Sequence, residues 1–180
     1  AYVINYQQEL SVTERHMFQG SASFLKKPES PEEPDPTAGI ISKEKHMSTK
    51  ITIIGAGSVG STIAYTLAMD NDSASEIVLI DINKEKVIGE VMDIAQGTFF
   101  RNPVSIVAGD YADAKDSDIV IITSGIARKP GQTRIELTQT NVNILKQITP
   151  QITAVAPNAK YVIVSNPVDI MTYVFTKISG

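Results

Sequence analysis

In the stretch TSGIARKPGQTR, Thr123 to Arg134, three cations (Arg128, Lys129 and Arg134) follow directly on an apolar run, IVIIT at 119–123. A solvated turn needs the two glycines and the proline of that stretch. It does not need two arginines six residues apart. A guanidinium presents paired N–H donors that match the oxygens of a carboxylate or phosphate. Cations gathered where a buried strand surfaces therefore point to an anionic ligand. For Arg128 taken alone, a solvated loop cation is the remaining alternative.

A second constellation lies upstream. Gly55-Ala56-Gly57-Ser58-Val59-Gly60 follows an apolar strand pattern and opens a helical one. Each glycine of a GxGxxG meets its own demand: a tight turn, room for a diphosphate against backbone, and close helix–strand contact. The helix start adds free N–H groups and a partial positive charge. The motif alone is weak, but here the next strand ends in Asp81, about 20 residues on, where an adenosine ribose would lie. A carboxylate there accepts from ribose hydroxyls and repels a 2′-phosphate. DINKEK offers Lys84 and Lys86 but no arginine beside Asp81, so the cofactor reads as NAD and not NADP. The bland alternative is a tight turn followed by a solvated acid.

These residues need a scaffold, and from Lys50 onward the pattern alternates between strand and helix. Strands are expected at 50–54 (KITII), 76–80 (EIVLI), 104–108 (VSIVA), 118–123 (DIVIIT) and 161–165 (YVIVS). Their nearly continuous Val/Ile content predicts parallel strands covered on both faces. Between them, Val59, Ile63 and Leu67 are expected to form the buried face of a first helix, and Val87, Val91 and Ile94 that of a second. A helical period runs through 135–156, with Pro150 expected to bend or split it. A last helix is expected over about 169–178. The fold class is α/β, a doubly wound parallel sheet of the Rossmann dinucleotide-binding kind.

The chain has 180 residues, 42% of them hydrophobic, with net charge −4 and a pI near 5.2. No global basic field exists, so nucleic acid is not an expected partner. The absence of cysteine removes disulfides and thiolate chemistry. No constellation of metal ligands is read. No stretch approaches the ~20 apolar residues of a membrane span, and no signal-peptide pattern opens the chain. A cytoplasmic location is expected. Residues 1–46 differ in character: PESPEEPDP at 28–36 excludes helix and central strand. They are expected to be an irregular or disordered leader outside the functional fold, with the dinucleotide-binding domain spanning 47–180.

With the glycine loop, Asp81, GDYADAKDSD, TSGIARKPGQTR and SNPVDIMTY in one chain, the sequence from about residue 49 to 180 resembles the N-terminal cofactor domain of the lactate/malate dehydrogenase family. The resemblance implies an NAD-dependent dehydrogenase of 2-hydroxy acids, homo-oligomeric when complete, whose cation loop closes over a small 2-oxo or 2-hydroxy acid. Gly125 and Gly131 would let that loop swing. Arg134 resembles the arginine that polarises the reacting carbonyl. Arg128 stands where lactate dehydrogenases usually carry glutamine and malate dehydrogenases carry an arginine for a second carboxylate, which favours malate over lactate. Asn166 resembles the asparagine that touches both substrate and cofactor, with Pro167 in a tight turn open to the cis form. Besides the glycine loop and Asp81, the resemblance implies cofactor contacts at Lys86, Tyr111, Thr123, Gly125, Ile126, Asn141, Gln147, Val164, Ser165 and Asn166. For Asn141 and Gln147, a plain polar helix face is an equal alternative.

Oxidising an alcohol needs a base, which this family supplies as a histidine held by an aspartate. The only histidines, His16 and His46, lie outside the recognisable fold. The chain is therefore expected to lack the C-terminal substrate domain and to be inactive by itself. Two rivals stand beside this reading. Tyr173 and Lys177 match the YxxxK of short-chain dehydrogenases, although the glycine pattern does not. A non-catalytic NAD-binding module would use the same half.

Overall fold

Five apolar segments pair as one parallel sheet in the computed structural model, which describes residues 49–70, 73–98, 104–128 and 130–180. The expected leader, both histidines and Lys129 lie outside the described residues. In chain order the elements are β1 (Lys50–Ile54), α1 (Ser58–Met69), β2 (Glu76–Ile80), α2 (Lys84–Gly97), β3 (Ser105–Ala108), a 3-10 turn (Ala112–Ala114), β4 (Ile119–Ile122), α3 (Arg134–Val155), β5 (Lys160–Ile163) and α4 (Val168–Ser179). The strand order is β3-β2-β1-β4-β5. The chain thus winds outward from β1 on one side, then returns to β1's other side, with Ile51 pairing Ile77 on β2 and Ile119 on β4. In doubly wound sheets such a reversal, at the strands' carboxyl ends, is where ligands bind.

The Val/Ile runs have a simple physical cause. Successive side chains of a strand point to opposite faces, and here both faces are covered. Ile54, Val78, Ile80, Val120 and Ile122 join one core cluster with Leu145, Ile152, Met171 and Phe175 of α3 and α4. Ile51, Ile53, Ile77 and Leu79 join another with Ala64, Ala68, Val87 and Ile94 of α1 and α2. Each such fully buried aliphatic side chain stabilises the fold by about 1.5–3 kcal/mol. Thr52 is the polar exception at the centre of β1, and its buried hydroxyl pairs with Ser117 Oγ at 2.7 Å. No helix among the described residues is long and apolar enough to cross a membrane.

Four sequence expectations need correction. Helix α1 does not bury Val59, which is 54% exposed. Gly60, Ala64 and Ala68 face the sheet instead, with Ile63 and Leu67 on the flanks. Small residues win that face because they let the helix axis approach the strands. Strands β3 and β5 are only partly covered, because each ends the described sheet. Three strands are also shorter or shifted relative to expectation. Asp118 lies just outside β4, bonded to Lys50 through its backbone N–H and through its carboxylate, which accepts from Lys50 N at 2.8 Å, and Thr123, Val164 and Ser165 fall beyond the strand ends. Finally, Pro150 does not split α3, which continues from Arg134 to Val155. The missing N–H would have met the carbonyl of Lys146, and both residues lie on the exposed side where water reaches that carbonyl. Burial of Leu145, Ile148, Thr149 and Ile152 holds the two halves in line.

Candidate functional site

The three glycines of the loop after β1 separate cleanly by what a side chain would meet. Gly55 has φ +113°, and a Cβ on it would lie 2.7 Å from Thr123 Oγ1 and 2.8 Å from Ser124 N. A Cβ on Gly60 would lie 1.8 Å from the Gly55 carbonyl oxygen. Those two glycines serve the turn and the packing of α1 on it. Gly57 is different: a Cβ there would meet nothing within 4 Å. It is the N-cap of α1 and provides no side-chain cap, so the helix presents its first N–H groups to open space. That is the cradle an anionic diphosphate requires.

Asp81, at the end of β2, closes the same loop. Its Oδ2 accepts from Ala56 N at 2.7 Å and its Oδ1 from Asn83 N at 3.0 Å. A carboxylate has about four lone-pair sites, so both oxygens keep capacity for ribose hydroxyls. Asn83 caps α2 by accepting from Lys86 N at 3.1 Å. The Lys84 ammonium donates to the Gly109 carbonyl at 3.1 Å, leaving Lys86 exposed on the helix. Thr123 Oγ1 donates to the Gly55 carbonyl at 2.9 Å and ties the end of β4 to the glycine loop.

On the other side of the reversal, Arg128, Arg134 and Asn166 line one cavity of about 800 Å³, together with Gln139 and the apolar Val142 and Ile170. Arg134 is the first residue of α3, and a capping box sets its place. Thr133 Oγ1 accepts from Glu136 N at 3.2 Å, and the Glu136 carboxylate accepts from Thr133 N at 2.9 Å. Those bonds from Thr133 hold the exposed Glu136 carboxyl below its ordinary value. Arg128 Nε donates to the Gln132 carbonyl at 2.9 Å, curling the loop at a residue that lines the cavity. The Asn166–Pro167 peptide is cis.

Hydrogen bonds join the two groups of residues. Ser165 Oγ donates to the Ser124 carbonyl at 2.6 Å, and Val164 N to the Ile122 carbonyl at 2.9 Å. Ser124 Oγ is the buried side-chain polar atom left without a partner among the described residues. Asn141 is only 2% exposed, so it is no solvated helix face. Its Oδ1 accepts from Ile126 N at 2.9 Å and its Nδ2 donates to the Asn166 carbonyl at 2.9 Å. Gln147 lies exposed on α3. Tyr111 is half-buried against the α3/α4 core cluster, and that burial raises its hydroxyl's pKa. The capping box was open to detection as T-R-I-E ahead of an apolar period; the Asn141 and Ser165 bonds carry no sequence signal. The YxxxK alternative finds no support in this geometry. Lys177 Nζ lies 5.7 Å from the centroid of the Tyr173 ring, a surface cation–π contact with both residues exposed.

Comparison with known proteins agrees with this layout. The family model for the lactate/malate dehydrogenase NAD-binding domain matches residues 49–180. An L-lactate dehydrogenase of Clostridium perfringens is 53% identical over 136 residues, covering 76% of this chain and 43% of the relative. L-lactate dehydrogenase 1 of Clostridium acetobutylicum is 53% identical over 133 residues, covering 74% and 42%. Among solved structures, the minor L-lactate dehydrogenase of Enterococcus mundtii superposes with a TM-score of 0.70 at 42% identity, covering 74% of this chain and 42% of that one. Malate dehydrogenase of Archaeoglobus fulgidus in complex with NADH superposes at 0.69 and 41% identity, covering 73% and 45%. The chain therefore spans less than half the length of the relatives it matches. Since the family match begins one residue before β1 and takes in both the glycine loop and the cation loop, the chain belongs to the lactate/malate dehydrogenase family and carries that family's NAD-binding domain.

Proposed function

We propose that the complete protein is an NAD-dependent L-2-hydroxy-acid dehydrogenase that interconverts a small 2-hydroxy acid and its 2-oxo acid, with malate favoured over lactate. The observation that carries this reading is the meeting of Arg128, Arg134 and Asn166 around one cavity beside a dinucleotide-binding loop. Bound NAD would supply the hydride acceptor or donor. The α1 N-terminus and Gly57 would hold the diphosphate, and Asp81 the adenosine ribose. Arg134 would stabilise negative charge developing on the reacting oxygen, and Asn166 would orient substrate against cofactor. Arg128 adds a second guanidinium, which a dicarboxylate can use and a monocarboxylate cannot. A lactate-specific enzyme is the second reading, favoured by the names of relatives about half identical to this chain. A dimeric or tetrameric assembly, a cytoplasmic location and a domain boundary near residue 47 belong to the same proposal; the boundary is supported by a family match that begins at residue 49.

The test compares malate and lactate oxidation by the full-length protein and its Arg128→Gln variant. Removing one partner of a desolvated charge pair costs on the order of 2–5 kcal/mol. Malate kcat/KM should therefore fall roughly 30-fold or more, at about 1.4 kcal/mol per decade, while lactate kcat/KM holds or rises. A parent enzyme that already prefers lactate, with a ratio unmoved by the substitution, would make Arg128 a solvated loop cation and refute the malate preference.

A further inference from the structure

We propose that Asn141 is a positioning residue of this site: a buried bracket that sets the hinge of the cation loop and couples it to the turn bearing Asn166. The proposal rests on the functional reading above and assigns Asn141 a role other than direct contact with the cofactor. Three observations converge on it. The side chain is 2% exposed, so it faces protein on all sides. Both ends of its amide hold backbone from separate segments: Oδ1 accepts from Ile126 N at 2.9 Å, and Nδ2 donates to the Asn166 carbonyl at 2.9 Å with a longer contact to the Ile126 carbonyl at 3.4 Å. Gly125, where the loop begins, passes directly over the amide, since a Cβ there would lie 3.3 Å from Oδ1.

The consequence is mechanical. Arg128 stands two residues beyond Ile126, so the pinned Ile126 amide is the fixed end from which the cation loop extends. The same amide group fixes the Asn166 carbonyl, and Arg128 and Asn166 both line the cavity. Beyond the Ser165–Ser124 bond at the strand ends, this one side chain therefore sets the distance between Ile126 and the Asn166 turn. A planar amide, with an acceptor at one end and donors at the other, holds an N–H and a carbonyl of separate segments in this way. Asparagine is short enough to do so from the helix.

Asn141→Asp separates the two functions, because it keeps an acceptor for Ile126 N and replaces the donor with an oxygen facing the Asn166 carbonyl. At pH 8 the variant of the full chain should bind NADH about tenfold more weakly than the parent. As the pH falls, the buried carboxyl protonates at a raised pKa and regains a donor. The ratio of variant to parent dissociation constants should then shrink to within about threefold by about pH 5.5. Arg128, Arg134, Glu136, Lys146 and Asp169 on the loop and on α3 and α4 are common to both proteins, so their contributions cancel in the ratio. A pH-independent ratio, or one near unity at pH 8, overturns the proposal. The second arm uses amide hydrogen exchange at Ile126 in Asn141→Ala, which leaves room for water and does not depend on cofactor. Protection of Ile126 should fall about tenfold or more relative to the neighbouring β4 amides; unchanged protection also overturns the proposal. Should the parent bind no NADH, the functional reading fails while the exchange arm still decides whether the bracket exists.

Discussion

Replacing Asp81 with alanine would test the cofactor assignment, and the structure changes what that experiment must measure. The carboxylate has two tasks here. It accepts from Ala56 N at 2.7 Å and from Asn83 N at 3.0 Å, so it shapes the glycine loop before any ligand arrives. In the proposed complex it also accepts from the ribose hydroxyls. A hydrogen bond to a charged group is worth about 1.5–3 kcal/mol, and Asp81 is only partly buried, so the loop tie belongs near the lower end. Losing the tie should lower folding stability by about 1–2 kcal/mol and loosen the diphosphate cradle for any dinucleotide. Losing the ribose bonds should weaken NADH by a further 1.5–3 kcal/mol, about 10- to 150-fold. NADPH gains from removal of a carboxylate that repels its 2′-phosphate, so it should lose far less or improve. The diagnostic quantity is therefore the ratio of the two dissociation constants, titrated by nicotinamide fluorescence, with thermal unfolding measured alongside. Asp81→Asn serves as the control, because its amide oxygen still accepts one of the two backbone bonds while the charge is gone. It should retain most of the stability and lose most of the discrimination. Equal losses for NADH and NADPH in Asp81→Ala would make the residue a loop brace only and refute its role in selecting NAD.

Other outcomes follow from the same geometry. Gly60→Ala places a methyl 1.8 Å from the Gly55 carbonyl oxygen and should cost about 1–3 kcal/mol or more in chemical denaturation. Gly57→Ala meets open space, so it should leave the denaturation midpoint unchanged while weakening NADH binding; unaltered affinity would remove the diphosphate from this helix end. The Glu136 carboxyl titrates below its ordinary value in the folded chain, so its contribution is fully present above the unfolded pKa and is lost as the pH falls through the lowered folded one. Protection factors of the amides in the first turn of α3, corrected for intrinsic exchange, should therefore fall on acidification in the parent and be insensitive to it in Glu136→Gln.

The readable features of this chain were the local ones. Turn chemistry at Gly55–Gly60, an acid closing the second strand, a helical period after Thr133 and runs of Val and Ile each express interactions within a few residues, and all five strands and four helices appear near their expected places. The cations at 128 and 134 were also legible as candidate anion ligands without any knowledge of the fold, and both line one cavity. What required the tertiary structure were choices made between distant segments. Hydrophobic size pointed α1's Val59 inward, but the close approach of helix to sheet selected Gly60, Ala64 and Ala68. Proline chemistry argued for a bend or a split at Pro150, and burial on both sides of it kept α3 from splitting. Asn141 on a helix reads as a solvated amide, and only the convergence of segments 15 and 25 residues away turns it into a bracket. Pattern along a chain reports periodicity and turn preference because both are fixed by neighbouring residues; which surface a side chain meets is decided by packing, where distant backbone competes for the same space and the same hydrogen bonds.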